Sequence, residues 1–318
     1  MNKQSPNARI LEKLERDFGA DFLKALRNPK TVEIMLNADG TLWQECLGEE
    51  MKPIGTMLPA KAEAAMRTIA SYLDTTITTE NPILEGVLPL DGSRFAGWLP
   101  PVVAAPSFAI RKKATAIFTL DQYVDTGTMT PEQKEAICKA VSEHKNILVI
   151  GGTGSGKTTL TNAIIGEMVA QNPEERIFII EDTGEIQCSA KNSVQFFTSL
   201  TVTMTDLLKT TLRGRPDRIL VGEVRGAEAL DLLDAWNTGH EGGVATLHAN
   251  NAKAGLDRLK SLITRNQSAP KDIEPLIGEA VHVVIHIART PEGRSIQDIL
   301  EVHGYENNAY ITKHVQTK

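Results

Sequence analysis

Gly151-Gly152-Thr153-Gly154-Ser155-Gly156-Lys157-Thr158-Thr159 is the stretch on which the reading of this chain turns. Gly151, Gly156, Lys157 and Thr158 stand in the fixed places of G-x-x-x-x-G-K-[ST]. Ahead of it, Ile147-Leu148-Val149-Ile150 is short, apolar and β-branched, the pattern of a buried strand. Behind it, residues 160–170 carry Ile164, Ile165, Met168 and Val169 at helical spacing. Glycines let successive backbone N–H groups turn inward without Cβ clashes, and the helix N-terminus adds partial positive charge. Strand, loop and helix together imply a cradle for a nucleoside triphosphate built from Gly151 to Thr159. Lys157 would reach the β- and γ-phosphates and the Thr158 hydroxyl would ligate Mg²⁺. A chance glycine-rich turn is the bland alternative, and the agreement of all three parts counts against it.

Downstream the apolar runs recur. Ile177-Phe178-Ile179-Ile180 closes on Glu181-Asp182, Ile219-Leu220-Val221 on Gly222-Glu223, and Val244-Ala245-Thr246-Leu247 on His248. Residues 227–237 read as a helix and 281–287 as a long β-branched strand. Apolar strands alternating with helices predict an α/β domain, a mostly parallel sheet covered on both faces. With the phosphate loop, this is a P-loop NTPase core.

Upstream the pattern differs. Residues 8–27 place Ile10, Leu11, Leu14, Phe18, Phe22 and Leu26 along one amphipathic helix. Residues 31–45 alternate around Asp39-Gly40, predicting a hairpin with a two-residue type I′ turn, and 83–99 repeat the device around Asp91-Gly92. Residues 60–73 return to helix, and Phe108-Ala109-Ile110-Arg111 reads as one more strand. The expectation is a smaller α+β domain over 1–113, a threonine-rich linker over 114–130, and the P-loop domain over 131–318. Thr130, Pro131 and Gln133 mark the helix start that ends the linker.

At 318 residues, with 41% hydrophobic and 23% charged residues, the chain has room for two cores. A net charge of −6 argues against a broad electrostatic grip on nucleic acid, so no sequence-specific nucleic-acid binding is expected. Cys46, Cys138 and Cys188 are too scattered for a disulfide framework or zinc cluster, which suits a reducing cytoplasm. Met1-Asn2-Lys3-Gln4-Ser5-Pro6 leads into a charged helix without an apolar signal core, and no stretch reaches membrane-spanning length. Membrane association would be peripheral.

Phosphoryl transfer to water needs a cradle, a metal, a group to orient water and a cation for developing charge. Glu223, Glu181 and Asp182 each follow a strand, at the sheet edge where ligands bind. Position alone does not say which acid does what. The segment 213–225 adds Arg213, Arg215, Arg218 and Arg225 around one strand and Glu223.

Four motifs in order, the glycine loop, Ile180-Glu181-Asp182-Thr183-Gly184-Glu185, the strand ending in Glu223, and the histidine box 238–250, closely resemble those of the secretion-superfamily traffic ATPases. Those are ring-shaped, RecA-like motors of type IV secretion and of type II secretion or pilus machines. The resemblance covers the whole second domain, and more loosely the first through Asp91-Gly92-Ser93-Arg94 and Ser107-Phe108-Ala109-Ile110-Arg111. Without a four-cysteine cluster or the retraction-type C-terminal helix motif, the chain is nearest to the conjugal-transfer ATPases of the type IV branch. The resemblance implies ATP and Mg²⁺ as cofactors, a homo-oligomer in the form of a hexamer, and inner-membrane channel components as partners. It implies Glu223 as the residue that polarises water, Glu181 and Asp182 in support of metal and water, and His248 as a sensor of the γ-phosphate. Arg111 and Arg94 match first-domain arginines that reach the nucleotide in the family, and Arg213 and Arg215 would act across a subunit boundary. Gly222 departs from the pattern of other P-loop enzymes, which often place an Mg²⁺-binding aspartate there. A RecA-like nucleic-acid motor, a small-molecule kinase and a pilus-retraction or type II ATPase are the rival readings.

Overall fold

Residues 6–47, 49–113, 117–199 and 201–315 are described by the computed structural model, and the chain divides into two units, Met1–Thr115 and Ala116–Lys318. The first contains α1 (Pro6–Arg27), β1 (Thr31–Leu36), β2 (Thr41–Cys46), β3 (Lys52–Thr56), α2 (Pro59–Tyr72), β4 (Ile83–Val87), β5 (Arg94–Trp98) and β6 (Ser107–Arg111). Its strands form one antiparallel sheet in the order β3-β2-β1-β6-β5-β4. The apolar stripes of α1 and α2, with Leu14, Phe18, Phe22, Met66 and Ile69, bury one sheet face through Ile34, Phe95, Phe108 and Ile110.

Two local expectations fail here for steric reasons. The helix predicted over 8–27 breaks at Gly19, whose φ of 82° and ψ of 175° are not helical. The hairpin at Asp39-Gly40 exists, but its turn is longer than two residues. Asn37 N–H donates to Thr41 O, Gly40 N–H to Asn37 O, and Gly40, not Asp39, takes positive φ. A type I′ turn needs positive φ at both central residues, whereas the Asp39 carboxylate instead accepts the Thr41 N–H. Gly92 and Asp91 behave in the same way, with Asp91 accepting from Ser93.

The second unit contains α3 (Leu120–Asp125), α4 (Pro131–Ser142), β7 (Ile147–Ile150), α5 (Lys157–Gln171), β8 (Ile177–Glu181), β9 (Ser193–Phe197), α6 (Met204–Thr211), β10 (Arg218–Val221), α7 (Glu228–Trp236), β11 (Val244–Leu247), α8 (Ala252–Ile263), α9 (Glu274–Ala280), β12 (Val283–Thr290), β13 (Gly293–Glu306) and β14 (Ala309–His314). Its eight-stranded sheet runs β14-β13-β12-β7-β11-β10-β8-β9. From β12 to β9 all neighbours are parallel, while β13 and β14 extend the β12 edge as an antiparallel meander. The sheet is therefore mixed. Every residue of β7, β10 and β11 is buried, because the sheet is covered on both faces. Ile147 and Val149 face the core shared with α4 and α5, and Leu148 and Ile150 face that of α6 to α9.

The segment expected to be a linker over 114–130 is mostly folded. Residues 114–116 lie outside the described residues, as do 1–5. Beyond them, Thr119 and Gln122 form a capping box at the start of α3, and Leu120, Tyr123 and Met129 join the core of Ile137, Leu160 and Ile296. Thr128 O also accepts the Ile296 N–H at 2.9 Å. Among the described residues no helix is long and apolar enough to cross a membrane.

Candidate nucleotide site

Parallel register brings the ends of four strands level. Ile150 pairs with Leu247, and Ile180 with Val221, so the residues that follow converge at one edge: Gly151, Glu181, Gly222, Glu223 and His248. Ligands bind at this carboxyl edge in open parallel sheets. Gly151 through Gly156 form the turn between β7 and α5, and Lys157, Thr158 and Thr159 the first turn of α5. Two of the glycines are sterically required. A Cβ on Gly151 would stand 2.2 Å from the Ile287 carbonyl oxygen, and Gly156 caps α5 with a left-handed φ of 98°. Gly152, Thr153 and Gly154 carry the loop over its tip, and Ser155 is buried beneath it.

Lys157 is folded onto this loop. Its ammonium donates to Gly151 O at 3.0 Å and Gly152 O at 2.9 Å, and lies 3.5 Å from His248 Nδ1. The other ring nitrogen of His248 is 3.2 Å from Glu223 Oε1. A chain of contacts thus runs from Lys157 through His248 to Glu223, two residues beyond β10. Arg225 continues it, reaching Glu223 Oε2 at 2.7 Å and Asp182 Oδ2 at 3.2 Å. Burial by itself would raise the Glu223 pKa, but the Arg225 hydrogen bond and the charges of Arg225, His248 and Lys157 outweigh it and hold the carboxyl below the usual range. Glu223 is ionised at neutral pH, as a group that orients water requires.

Glu181 occupies a different position. It is 2% exposed, its Oε1 accepts the N–H groups of Glu185 (3.0 Å) and Ile186 (2.8 Å), and its Oε2 accepts from Gln195 at 2.6 Å. Burial raises its pKa despite these bonds. The side chain folds the segment after β8 back on itself and so brings Glu185 to Thr158, whose hydroxyl donates to Glu185 Oε2 at 3.4 Å. Asp182, expected beside the metal, accepts from Arg225 and from the Thr198 hydroxyl at 3.0 Å. The departure at Gly222 has a steric cause: a Cβ there would stand 2.9 Å from Glu181 Cγ. Glu181 fills the space that an aspartate at 222 would need.

Arg213 and Arg215 stand elsewhere. Both are exposed and precede β10, Arg213 in the 3₁₀ turn Leu212–Gly214 and Arg215 in a left-handed conformation with φ of 57°. They are at the amino edge of the sheet, opposite the glycine loop. The histidine box is divided in the same way, since His240 precedes β11 and His248 follows it. In the first unit, Arg111 lies across from both Glu33 and Arg94 in the sheet register, with its Nε 4.0 Å from Glu33 Oε1.

A family model described as type II/IV secretion system protein matches residues 57–316. The chain belongs to this family. It is 48% identical over 310 residues to a probable conjugal transfer protein TrbB of Sinorhizobium fredii, covering 98% of this chain and 95% of that one. It is 46% identical over 314 residues to a conjugal transfer protein TrbB of Rhizobium radiobacter, covering 99% and 97%. The X-ray structure of the Legionella pneumophila ATPase DotB shares the fold, with a TM-score of 0.60 at 18% identity over 93% of this chain and 81% of that one. Within this secretion-family chain, three site residues escaped the sequence reading of roles: Glu185, Arg225 and Arg294. Glu185 and Arg225 stood inside recognised motifs without a marked position. Arg294 is remote in sequence, and only the β12–β13 hairpin brings its Nε to Gly154 O at 3.2 Å.

Proposed function

We propose that this chain is the ATP-hydrolysing motor of a bacterial conjugative type IV secretion machine, converting ATP and water to ADP and phosphate. The observation that carries the chemistry is the convergence of Lys157, His248 and ionised Glu223 at the mouth of the glycine loop. A phosphate in the loop would draw the Lys157 ammonium away from the Gly151 and Gly152 carbonyls. Glu223 then orients water toward the γ-phosphate, and His248, touching both residues, registers whether that phosphate is present. Mg²⁺ suits the hard oxygens of Thr158 and Glu185, with Asp182 as a further candidate. When bound, the ion neutralises charge on the β- and γ-phosphate oxygens.

The run of parallel strands from β12 to β9 supports reading the second unit as a RecA-like core, with an antiparallel meander added at one edge. Arg213 and Arg215, on the edge opposite their own glycine loop, suit catalysis in a neighbouring subunit, which supports a ring, read as a hexamer. Arg111 is assigned to closure of the first domain over the nucleotide. By likeness to the conjugal transfer relatives, the ring docks on channel components at the cytoplasmic face of the inner membrane and drives pilus or channel assembly and substrate transfer.

The test is phosphate release by the purified chain, with and without single-stranded DNA, alongside mass in solution with and without nucleotide. Lys157→Ala is expected to retain its circular dichroism spectrum and lose turnover. A folded Lys157→Ala that keeps most of its activity refutes the site, and turnover that depends strictly on DNA favours a nucleic-acid motor.

A further inference from the structure

The β12–β13 hairpin carries two arginines directly opposite one another, Arg289 on β12 and Arg294 on β13. Like charges in cross-strand register repel and destabilise a hairpin. Among the described residues neither forms an ion pair, and Glu292 at the hairpin tip pairs with neither. Both side chains are exposed. An uncompensated pair of guanidinium groups is a site for an anion that arrives from outside the chain.

Its position says which anion. Arg294 Nε donates to Gly154 O at 3.2 Å, leaving both terminal nitrogens without a partner among the described residues. Its Cδ lies 3.0 Å from where a Gly156 Cβ would stand. The β12 strand is fixed against the same loop, with the Ile287 carbonyl packed on Gly151. The hairpin therefore grips the outer rim of the phosphate loop. Backbone N–H groups of the loop cradle the phosphates from within, and Lys157 reaches the β- and γ-phosphates. The α-phosphate, beyond the reach of Lys157, is the one that lacks a cation from within, and cations on the rim can supply it.

The geometry points to Arg294 and Arg289 as a clamp on the α-phosphate of the bound nucleoside di- or triphosphate. This inference rests on the nucleotide reading of the site. The clamp distinguishes a nucleotide from a bare polyphosphate, and it relieves the Arg289–Arg294 repulsion when the nucleotide is bound.

Calorimetric titration of the full chain with Mg²⁺–ADP and with Mg²⁺–pyrophosphate tests the clamp. For Arg294→Gln and for Arg289→Gln, each checked for a native circular dichroism spectrum and a melting temperature no lower than that of the unaltered chain, ADP affinity is expected to fall about tenfold, as loss of one charge-assisted contact implies. Pyrophosphate affinity is expected to stay within about twofold of the unaltered chain. Equal losses for ADP and pyrophosphate in Arg294→Gln would make Arg294 a staple of the loop and overturn the clamp. Unchanged ADP binding in Arg289→Gln would overturn the paired role. Failure of the unaltered chain to bind ADP would refute the nucleotide reading itself, whereas tight ADP binding that ignores both substitutions refutes only the clamp.

Discussion

Replacing Glu181 by alanine separates a clamp from a catalytic acid. The substitution removes the acceptor of the Glu185 and Ile186 N–H groups and the partner of Gln195. Two backbone donors left unmade in the interior cost about 1–3 kcal/mol each, or about 2–6 kcal/mol together. The segment 182–187 is partly exposed, so opening it to water sets a ceiling on that cost. Opening exposes Ile186, now 5% exposed, at about 1.5–3 kcal/mol. The cheaper route prevails, and the expected loss is about 2–3 kcal/mol, or about 4–12 °C in melting temperature for a unit of this size. Glu185 would leave Thr158, so turnover should need more Mg²⁺. Glu181→Gln keeps a carbonyl for the two N–H groups but turns an amide N–H₂ toward Gln195. A flip of Gln195 repairs this at the expense of its 3.3 Å bond to Ile186 O, about 1 kcal/mol. The assays are thermal melting and phosphate release against Mg²⁺ concentration. If Glu181→Gln melts like the unaltered chain yet stops turnover, Glu181 acts on the reaction directly and the clamp reasoning is wrong. An unshifted melt for Glu181→Ala would refute the energetic argument.

Glu223→Gln is expected to bind ATP normally and hydrolyse it orders of magnitude more slowly, because the lost interaction belongs to the transition state; a rate within about threefold of the unaltered chain would remove Glu223 from that role. Arg111→Ala should lower turnover by about 10³-fold if the guanidinium stabilises transition-state charge, whereas Lys113→Ala should not, and equal rates in both would discard closure by the first domain. Stability should fall as the solution is acidified through the histidine range. Burial depresses the His282 pKa, with Lys145 adding to it, and Nδ1 accepts the Asn146 N–H at 2.9 Å. The unfolded chain therefore binds the proton first, so this stabilisation is complete above the unfolded pKa, about 6.5, and is lost as pH falls through the depressed folded value. Denaturant melts of His282→Gln should show a shallower acid slope, with the remainder from His286, which burial also depresses; an unchanged slope would exclude His282 as a source.

Where backbone chemistry is local, the sequence sufficed. The strands β7, β8, β10 and β11 and the loop between β7 and α5 were legible because a strand buried on both faces must be continuously apolar and a phosphate loop must be glycine-rich. Thr130 and Gln133 announced α4 for the same reason. Thr119 and Gln122 form the same capping box at the start of α3, but the weak apolar periodicity of 114–130 reads as a linker and conceals that Leu120, Tyr123 and Met129 are core. The meander of β13 and β14 was missed because antiparallel pairing is decided by neighbours distant in the chain rather than by local pattern.

The sequence by itself determined which chemistry is present: a phosphate loop, acids at strand ends, arginines and a histidine box. Only the tertiary structure decided which of them meet. Glu181 and Glu223 both end apolar strands and look alike in one dimension. Packing turns Glu181 into a buried anchor of the 182–187 segment, while Arg225 and His248 hold Glu223 ionised beside Lys157. His240 and His248 share one motif yet stand at opposite edges of the sheet, because β11 runs between them. Arg294, 140 residues from Gly154, touches it only because the hairpin folds back over the loop. Spacing along a chain records residue type and local conformation; distance in space depends on strand register and on which side chain claims a given volume, and those are properties of the assembled fold.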